Sequence, residues 1–496
     1  MDTLIETAYR VNQAALDFIN NGPKHLLIDG QWVPALSGRT FEVIDPATEQ
    51  VLTTVAEADH ADVDRAVQAA RRAFEHPSWA NISPYAREGY LIKIAELIEA
   101  HAEELATIES LDNGMPLSGA NYSVQAAANT FRYYAGWPTK AYGKTNPTDG
   151  ASFTYTLREP IGVCGAIIPW NGPFMFAAWK IAPAIAFGNT VVIKPSELTP
   201  LSILRLGELL LEAGLPAGVV NILPGYGQTV GAAIVEHPGV DKIAFTGSTA
   251  VGKGILRASA DTMKKVTLEL GGKSPFIIFP DADLDKAVQM AIVGFTSNSG
   301  QACTAGSRVF IHESIYEEVA AKIIAIANQV VVGPGLDPAT QMGPITNEKQ
   351  FEKIESYFAI GKADGATLAA GGARIGEQGY FIQPTVFTHV KNGMRLAQEE
   401  IFGPVVALIA FSDEDDAVLQ GNDVDYGLAA SIWTKDLNRA HRVAKALKAG
   451  TVWVNTMYEI DPIFPFGGFK QSGLGKELGA ESVDAYTQIK SVVVRY

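Results

Sequence analysis

The alternation of short apolar runs with longer amphipathic stretches between residues 161 and 260 constrains the fold most. Predicted strands at 163–168, 190–193, 219–223 and 242–245 alternate with predicted helices at 175–186, 201–213, 230–236 and 250–260. Such alternation is typical of βαβ units in a doubly wound parallel sheet. The sequence therefore predicts an α/β fold with a parallel sheet in this part of the chain.

The flanking regions predict three further parts. Residues 26–33 and 41–45 predict a hairpin-like start, and a second α/β run begins near residue 275 and continues to about residue 470. The stretch 142–150, rich in Gly, Pro, Asn and Asp, is the best linker candidate. The closing segment 491–496 predicts a strand that needs the edge of a sheet, for which a second subunit is the expected source.

Composition narrows the function. A net charge of −15 disfavours nucleic acid and anionic membrane surfaces as partners. The two cysteines cannot form a disulfide framework, and the eight histidines show no metal-ligand spacing, so we expect a reducing compartment and no metal. The first residues lack an export-signal pattern, and no run of 18 apolar residues occurs. These features predict a cytoplasmic protein that does not enter membranes.

Cys303 is the strongest candidate for chemistry. It lies among small residues in GQACTAG (300–306), so little side-chain bulk shields its thiol, and Glu269 lies 34 positions upstream in LELGGK (268–273). A thiol with a neighbouring carboxylate base can attack an electrophilic carbon. A free cysteine is otherwise most often a small buried hydrophobe, which is our interpretation of Cys164 in the strand 163–168.

Two glycine-containing segments are candidates for binding a nucleotide. Residues 225–231 (GYGQTVG) resemble GxGxxG, but the last glycine comes one residue too late, which makes the match weak. Residues 245–252 (FTGSTAVG) run from a predicted strand into a predicted helix, whose first N–H groups and Ser248 hydroxyl suit a pyrophosphate. An ordinary turn between strand and helix is the alternative.

Eight motifs, in order along nearly the whole chain, resemble those of the NAD(P)-dependent aldehyde dehydrogenase superfamily. They are PWN (169–171), KPSE (194–197), GST (247–249), ELGG (269–272), GQAC (300–303), EEIFGP (399–404), PFGGFK (465–470) and GKELG (475–479). The resemblance implies a doubly wound NAD-binding domain (1–139 and 160–271), a second α/β catalytic domain (272–471) and a small β element for bridging and oligomerisation (140–159 and 484–496). It also implies a homo-oligomer, a dimer or a tetramer.

The resemblance implies chemical roles for five residues. Cys303 attacks the aldehyde carbon, while the Asn171 amide and the Cys303 backbone N–H stabilise the oxyanion. Glu269 activates the water that hydrolyses the resulting thioester. Lys180 and Glu477 are implied to carry protons from Glu269 to solvent, although such residues usually lie at the surface.

The resemblance further implies NAD as the cofactor. Lys194 and Glu197 would bind the adenosine ribose hydroxyls, and because a carboxylate repels a 2′-phosphate we expect NAD to be preferred over NADP. Glu400 and Phe402 would hold the nicotinamide ribose and ring. The full predicted set is Pro169, Trp170, Lys194, Ser196, Glu197, Gly227, Gly247, Ser248, Leu270, Gly271, Glu400 and Phe402.

The small-molecule aldehyde itself is predicted from the pocket. Its expected lining is Gly172, Met175, Phe176, Trp179, Ala302, Thr304, Phe464 and Phe466. Because these segments offer no Arg or Lys for a second carboxylate, we favour an aromatic or a medium-to-long apolar aldehyde over a semialdehyde. The alternative is betaine aldehyde or an aminoaldehyde at a cation-binding mouth of Trp453, Tyr458 and Glu459.

Two further alternatives share this fold. A CoA-acylating relative would pass the thioester to coenzyme A, but the retention of Glu269 argues against it because that base activates water. A non-catalytic binding protein would usually have lost Cys303 or Glu269, and this chain has both. The fold alone does not separate these alternatives.

Overall fold

The computed structural model describes residues 11–496, which two large β-sheets organise. The first ten residues, where the predicted first domain begins and where we noted no export-signal pattern, lie outside the described residues. Within residues 11–496, no helix is long and apolar enough to cross a membrane.

Residues 11–160 are mostly helical. The helices are α1 (Gln13–Asn20), α2 (His60–Glu75), α3 (Pro77–Ala80), α4 (Pro84–Ala100), α5 (Ala102–Asn113) and α6 (Leu117–Ala135). The strands are β1 (Leu26–Ile28), β2 (Gln31–Val33), β3 (Thr40–Ile44), β4 (Val51–Ala56), β5 (Thr145–Asn146) and β6 (Ser152–Pro160). The hairpin-like start predicted from the sequence therefore consists of two antiparallel pairs, β1 with β2 and β3 with β4.

Residues 161–269 contain the predicted alternation of strand and helix. The strands are β7 (Val163–Ile167), β8 (Thr190–Lys194), β9 (Val220–Ile222), β10 (Lys242–Thr246) and β11 (Lys265–Glu269). The helices are α7 (Pro173–Ala186), α8 (Leu201–Glu212), α9 (Ala232–Glu236), preceded by a π-helical turn at Gly227–Gly231, and α10 (Thr249–Ser259). Successive residues of β8 pack into two different hydrophobic cores, because helices cover both faces of the sheet.

The first sheet has the strand order β2-β1-β9-β8-β7-β10-β11-β21, where β21 is Gly473–Leu474. Strands β7 to β11 are parallel, whereas β1 and β21 pair antiparallel with the two outer strands of that core. The chain proceeds from β7 to β8 and β9 on one side and to β10 and β11 on the other. Ligands of doubly wound sheets bind where the order reverses in this way, here between β7 and β10.

Residues 275–470 form the second large sheet, in the order β14-β15-β16-β13-β12-β18-β19. Its strands are β12 (Pro275–Ile278), β13 (Arg308–His312), β14 (Thr367–Ala370), β15 (Thr385–Thr388), β16 (Val405–Phe411), β18 (Ala429–Trp433) and β19 (Thr451–Val454). Its helices are α11 (Leu284–Thr296), α12 (Tyr316–Ala327), α13 (Glu348–Ala363), α14 (Arg395–Gln398), α15 (Glu414–Asn422) and α16 (Leu437–Ala446). A two-stranded pair, β17 (Tyr426–Gly427) with β20 (Phe469–Lys470), leads back toward β21. The fold is thus mixed α/β with parallel-sheet units, as expected.

The chain end forms a three-stranded antiparallel sheet with residues of its own first third. After α17 (Ser482–Tyr486), β22 (Thr487–Arg495) pairs along its whole length with β6, which pairs with β5. The terminal strand is therefore longer than the predicted 491–496, and this chain itself supplies the sheet edge on one side. The predicted linker 142–150 contains β5 and the turn into β6.

Candidate active site

The loop that carries Cys303 is irregular. It follows α11 through a single 3₁₀ turn at Ser297–Gly300, and Asn298, Ser299 and Gly300 all have positive φ, at 45°, 56° and 70°. Non-glycine residues persist in this region only where surrounding contacts hold them. The Asn298 amide donates to the Asn171 carbonyl oxygen at 2.7 Å, and the Ser299 hydroxyl donates to the Gly343 carbonyl oxygen at 2.7 Å.

A cavity of about 400 Å³ opens beside this loop. Cys303 and Asn171 both line it, and so do seven of the predicted pocket residues: Gly172, Met175, Phe176, Trp179, Ala302, Thr304 and Phe466. Edge-on aromatic contacts join Trp179 to Phe176 and to Phe466, with ring centroids 5.1 and 5.2 Å apart. These contacts give the cavity a rigid aromatic wall.

The observed lining differs from the predicted one in two ways: one predicted residue is absent from it, and several residues that were not predicted belong to it. Phe464 does not line the cavity; it lies in a turn where its N–H donates to the Asp461 carbonyl oxygen at 3.3 Å. The lining residues that the sequence analysis missed as pocket residues include Met115, Pro116, Tyr122, Val293 and Ile460. They come from the ends of α5, α6 and α11 and from the loop after β19, where no motif marked them.

The surroundings of the Cys303 thiol favour its neutral form. Burial raises its pKa to about 12, and the nearby charges of Glu400 and Glu269 raise it further. The Asn171 amide nitrogen lies 2.9 Å from the Gln301 carbonyl oxygen, two residues before the cysteine. One cavity therefore brings together a thiol with a raised pKa and a side-chain amide.

Glu269, at the end of β11, is not among the residues that line this cavity. Its side chain is buried, and neither carboxylate oxygen has a hydrogen-bond partner within residues 11–496. Burial raises its pKa well above the usual range, and the charge of Glu477 raises it further, while Lys180 and Lys476 oppose the shift. A buried carboxylate with a raised pKa is a stronger base than an exposed one.

Lys180 and Glu477 form a buried ion pair, contrary to the usual surface location of such residues. Lys180 Nζ lies 2.6 Å from Glu477 Oε1 and 2.8 Å from Thr246 Oγ1, and the lysine and glutamate are 1% and 2% exposed. The second carboxylate oxygen of Glu477 has no partner among the described residues. The pair lies close enough to Glu269 for both of its charges to act on the pKa of that carboxyl.

A second cavity, of about 780 Å³, follows the reversal point of the first sheet. Eight of the predicted cofactor residues line it: Pro169, Trp170, Lys194, Ser196, Glu197, Gly227, Gly247 and Ser248. Gly227 begins the π-helical turn, so the weak glycine motif also borders this cavity. Lys349, from α13 of the second unit, and Tyr226 and Glu236 line it as well, without having been predicted.

The groups of this second cavity fit a dinucleotide. Ser248 is the N-cap of α10, so the free N–H groups and the positive end of that helix face an anion site. Lys194 Nζ and Glu197 Oε2, 3.3 Å apart, offer a donor and an acceptor for ribose hydroxyls. Trp170 lines this cavity and Asn171 lines the cavity of Cys303, so the two cavities lie on either side of one turn.

The remaining predicted cofactor residues, Leu270, Gly271, Glu400 and Phe402, line neither of these two cavities. Glu400 Oε1 accepts from the Gly272 backbone N–H at 2.8 Å, and a Cβ at Gly271 would lie 2.4 Å from Glu400 Oε2, so a larger residue there would displace that carboxylate. Phe402, with φ of 63°, packs edge-on against Trp170 at 5.3 Å. Leu270 does not line the second cavity; its N–H donates to the Ser472 carbonyl oxygen at 2.9 Å, linking β11 to β21.

Comparison with known proteins agrees with this arrangement. The model of the aldehyde dehydrogenase family matches residues 32–492. Human retinal dehydrogenase 2 is 51% identical over 473 residues, which cover 95% of this chain and 91% of that protein.

Two solved structures are similar over nearly the whole chain. The NAD⁺ complex of aldehyde dehydrogenase from Bacillus cereus has a TM-score of 0.97 and 48% identity, covering 98% of this chain and 99% of the other. Betaine aldehyde dehydrogenase from Staphylococcus aureus in complex with NAD⁺ has a TM-score of 0.96 and 39% identity, covering 97% of each chain. The family match over most of the chain, together with a cysteine and an amide on one cavity beside a dinucleotide-shaped groove, shows that the chain belongs to the aldehyde dehydrogenase family.

Proposed function

We propose that this protein oxidises an aldehyde to the carboxylic acid with NAD, through a thioester on Cys303. The observation that carries the proposal is the shared cavity of Cys303 and Asn171, on the far side of one turn from the groove that fits a dinucleotide. The NAD⁺ complex of the similar Bacillus cereus protein supports the same cofactor here. When bound, NAD supplies the acceptor for the hydride that leaves the aldehyde carbon.

In the first step the Cys303 sulfur forms a bond to the carbonyl carbon, and the thiol proton passes to a base. The raised pKa of the thiol means that this proton must be removed as the bond forms, and a carboxylate whose charge acts on the thiol, Glu400 or Glu269, can accept it. The negative charge that develops on the carbonyl oxygen is stabilised by the Asn171 side-chain amide and the Cys303 backbone N–H. Loss of hydride then leaves a thioester.

In the second step water replaces the thioester sulfur. Glu269 takes a proton from the water, whose oxygen bonds to the acyl carbon while the carbon–sulfur bond breaks to release the acid. The proton on Glu269 moves on through Glu477 and Lys180, whose 2.6 Å contact lies within electrostatic reach of Glu269. A CoA-acylating enzyme would transfer the acyl group to coenzyme A instead of to water. A non-catalytic protein would not need the thiol of Cys303 or the carboxylate of Glu269, and this chain has both.

We propose an aromatic or a medium-to-long apolar aldehyde as the substrate. The cavity wall is mostly aromatic and aliphatic, and no Lys or Arg is among its lining residues in the described chain. Such a wall binds apolar groups and offers no partner for a second carboxylate. The likeness to a human enzyme named for retinal, a long apolar aldehyde, supports this choice.

A second candidate is a cationic aldehyde such as betaine aldehyde. Tyr122 and Tyr458 line the cavity, and the charges of Glu459 and Asp461 contribute, after burial, to the raised pKa of Tyr122. Two carboxylates beside aromatic rings suit a cation at the cavity mouth. Trp453 is buried, with its indole N–H bonded to the Glu459 carbonyl oxygen, so it does not contribute to that mouth.

An NADH assay with a substrate panel tests both candidates. Benzaldehyde, phenylacetaldehyde and a C6–C10 alkanal should give kcat/KM values at least about tenfold above those for betaine aldehyde and succinic semialdehyde, because burying apolar atoms contributes about 0.8 kcal/mol per CH₂. Adding CoA should leave the rate and the acid product unchanged. A highest kcat/KM for betaine aldehyde would select the second candidate, and acyl-CoA formation would overturn the hydrolytic step.

We also propose a homo-oligomer held by the tail strand. Strand β22 is an edge strand of its three-stranded sheet, and Ile489, Val493 and Tyr496 are more than half exposed. An exposed apolar edge of this kind favours pairing with a second copy. Deleting residues 489–496 should give a smaller species in light scattering and a lower Tm, whereas an unchanged oligomer would make the tail an intramolecular element only.

We further propose a cytoplasmic location. The structure contains both cysteines as free thiols, which suits a reducing compartment. Fractionation of the source cells, with detection of the protein by antibody, tests this proposal. Recovery from a membrane or an exported fraction would overturn it.

A further inference from the structure

A closed set of buried and partly buried hydrogen bonds joins the turn of Asn171 to the loop of Cys303. We name the side chains of Asn113, Asn298, Gln301 and Thr346 the amide bracket. From it we infer that Asn298 is a positioning residue: it holds Asn171 in the orientation that stabilises the oxyanion. The inference rests on the proposed function, in which the Asn171 amide faces the reacting carbonyl oxygen.

The front of the bracket fixes Asn171 at two points. Asn298 Nδ2 donates to the Asn171 backbone oxygen at 2.7 Å, and Asn171 Nδ2 donates to the Gln301 backbone oxygen at 2.9 Å. Both acceptors are carbonyl oxygens, so each amide must present its nitrogen to them. One N–H of Asn171 is thereby anchored, and the second remains for a ligand in the cavity that Asn171 lines.

The other hydrogen bonds of the bracket connect the Cys303 loop back to Trp170, next to Asn171. Gln301 Nε2 donates to the Asn298 backbone oxygen at 3.0 Å, and Gln301 Oε1 accepts from the Thr346 backbone N–H at 2.9 Å. Thr346 Oγ1 donates to the Asn113 backbone oxygen at 3.0 Å, and Asn113 Nδ2 donates to the Trp170 backbone oxygen at 2.7 Å. Trp170 precedes Asn171, so the circuit returns to the turn from which it started.

Backbone strain at Asn298 supports a functional role for this residue. Asn298 and Ser299 occupy the left-handed region consecutively, which is uncommon for residues other than glycine. Strain of this kind is retained where surrounding contacts over-determine the conformation, and it concentrates at functional sites. The left-handed conformation of Asn298 accompanies the 2.7 Å contact of its side chain with the turn of Asn171.

The position of Asn171 matters because an oxyanion donor acts only when it is already aimed at the developing charge. Misplacing a reacting group by about 1 Å can cost about 100-fold in rate. Without Asn298, Asn171 would keep its own amide but lose the contact that fixes its backbone. The rate of hydride formation should therefore fall, while substrate and NAD binding, which depend on other residues, should change little.

Two glycine variants separate positioning from general loosening of the loop. Asn298→Gly removes the side-chain donor and relieves the strain of a positive φ. Ser299→Gly is the matched control: it relieves the same kind of strain one residue later and removes a bond to Gly343 rather than to Asn171. We expect Asn298→Gly to lower the pre-steady-state NADH burst rate about 10- to 100-fold and Ser299→Gly to lower it less than about threefold. In both variants KM, the Kd for NAD and the rate at which iodoacetamide alkylates Cys303 should stay unchanged.

A double-mutant cycle tests whether Asn298 acts through Asn171. Asn171→Ala alone should reduce the burst rate about 100-fold or more. Adding Asn298→Gly should then change the rate less than about threefold, because the side-chain amide that Asn298 positions is already absent. A full additional loss in the double variant, or equal losses in the two glycine variants, would overturn the inference while leaving the proposed function intact. A normal rate in Asn171→Ala would instead overturn the role of Asn171 on which both depend.

Discussion

The surroundings of the two cysteines differ more than their acidities do. Burial raises the pKa of Cys164 and of Cys303 to about 12 in each case. Cys164 lies in β7, between two parallel strands that pair with it on both sides, and no part of it lines either cavity described above. Cys303 lies on a strained loop and lines a cavity of about 400 Å³.

The charges nearest to the two thiols also differ. Lys242 lowers the pKa of Cys164, and Asp241, a carboxylate paired with Arg71, raises it. Two carboxylates, Glu400 and Glu269, raise the pKa of Cys303. A carboxylate can take the proton that an attacking thiol must lose, and a lysine ammonium cannot. The comparison teaches that access and a nearby carboxylate unpartnered among the described residues, rather than a low resting pKa, distinguish the cysteine proposed to react from the one in the core.

The largest expected effect comes from replacing the two cysteines separately. Cys303→Ala should lower turnover by at least about 10⁴-fold, with NAD Kd unchanged, because no second thiol is among the described residues that line the cavity and hydroxyls are weaker nucleophiles. Cys164→Ala should keep turnover within about threefold and lower the Tm by about 2–4 °C, the effect of losing one small core group. Steady-state NADH formation and thermal melts measure both. Substantial turnover by Cys303→Ala would remove the distinction between the two sites.

The next effect concerns buried carboxylates instead of thiols. Glu269→Gln should lower steady-state turnover about 10²- to 10⁴-fold, because the amide cannot take a proton from water, while a burst of NADH survives. Glu109→Gln is the matched control, since Glu109 is also fully buried but accepts from the Ser123 hydroxyl at 3.0 Å. Turnover of the Glu109→Gln variant should stay within a few-fold of that of the parent protein. If the burst disappears in Glu269→Gln, then the main role of Glu269 is to deprotonate the thiol.

A smaller effect, on stability, follows from the pKa of Glu109. Burial raises that pKa to about 8, against about 4.3 in an unfolded chain. Between these values the folded protein binds a proton that the unfolded chain has released, so the contribution of Glu109 to stability falls as pH rises from about 4.3 to about 8. Glu109→Gln should therefore raise the Tm relative to the parent at pH 8 and change it little at pH 5. A difference in Tm that is independent of pH would contradict the shifted pKa.

The sequence predicted the strand region around Cys164 more fully than the loop around Cys303. The predicted strand 190–193 and helix 201–213 match Thr190–Lys194 and Leu201–Glu212 to within one residue, because buried parallel strands and amphipathic helices leave local patterns. The residue pattern alone indicated Gly247 and Ser248, just after β10, whereas Lys194 and Glu197 were predicted from the family resemblance.

The cysteine loop depends on contacts that no local pattern encodes. The bonds from Asn298 to Asn171 and from Thr346 to Gln301 join residues 127 and 45 positions apart. The burial of Lys180 with Glu477 likewise requires partners 297 positions apart, so their charge suggested the surface. Phe464 and Phe466 are both aromatic, and only the three-dimensional course of the turn places one of them in the cavity wall.

The smallest expected effect is on the preference for NAD over NADP, which depends on the strand region and not on the reaction at Cys303. Glu197, just beyond β8, lies 3.3 Å from the buried Lys194 amine. Glu197→Gln removes the acceptor for a ribose 2′-hydroxyl and the repulsion of a 2′-phosphate, and it leaves the charge of Lys194 less compensated. The ratio of kcat/KM for NADP to that for NAD should rise about tenfold, or about 1.4 kcal/mol, with kcat at saturating NAD within about threefold. Glu236→Gln, which removes a second carboxylate from the same groove, is the control and should shift the ratio less. An unchanged ratio in Glu197→Gln would mean that this carboxylate does not face the ribose.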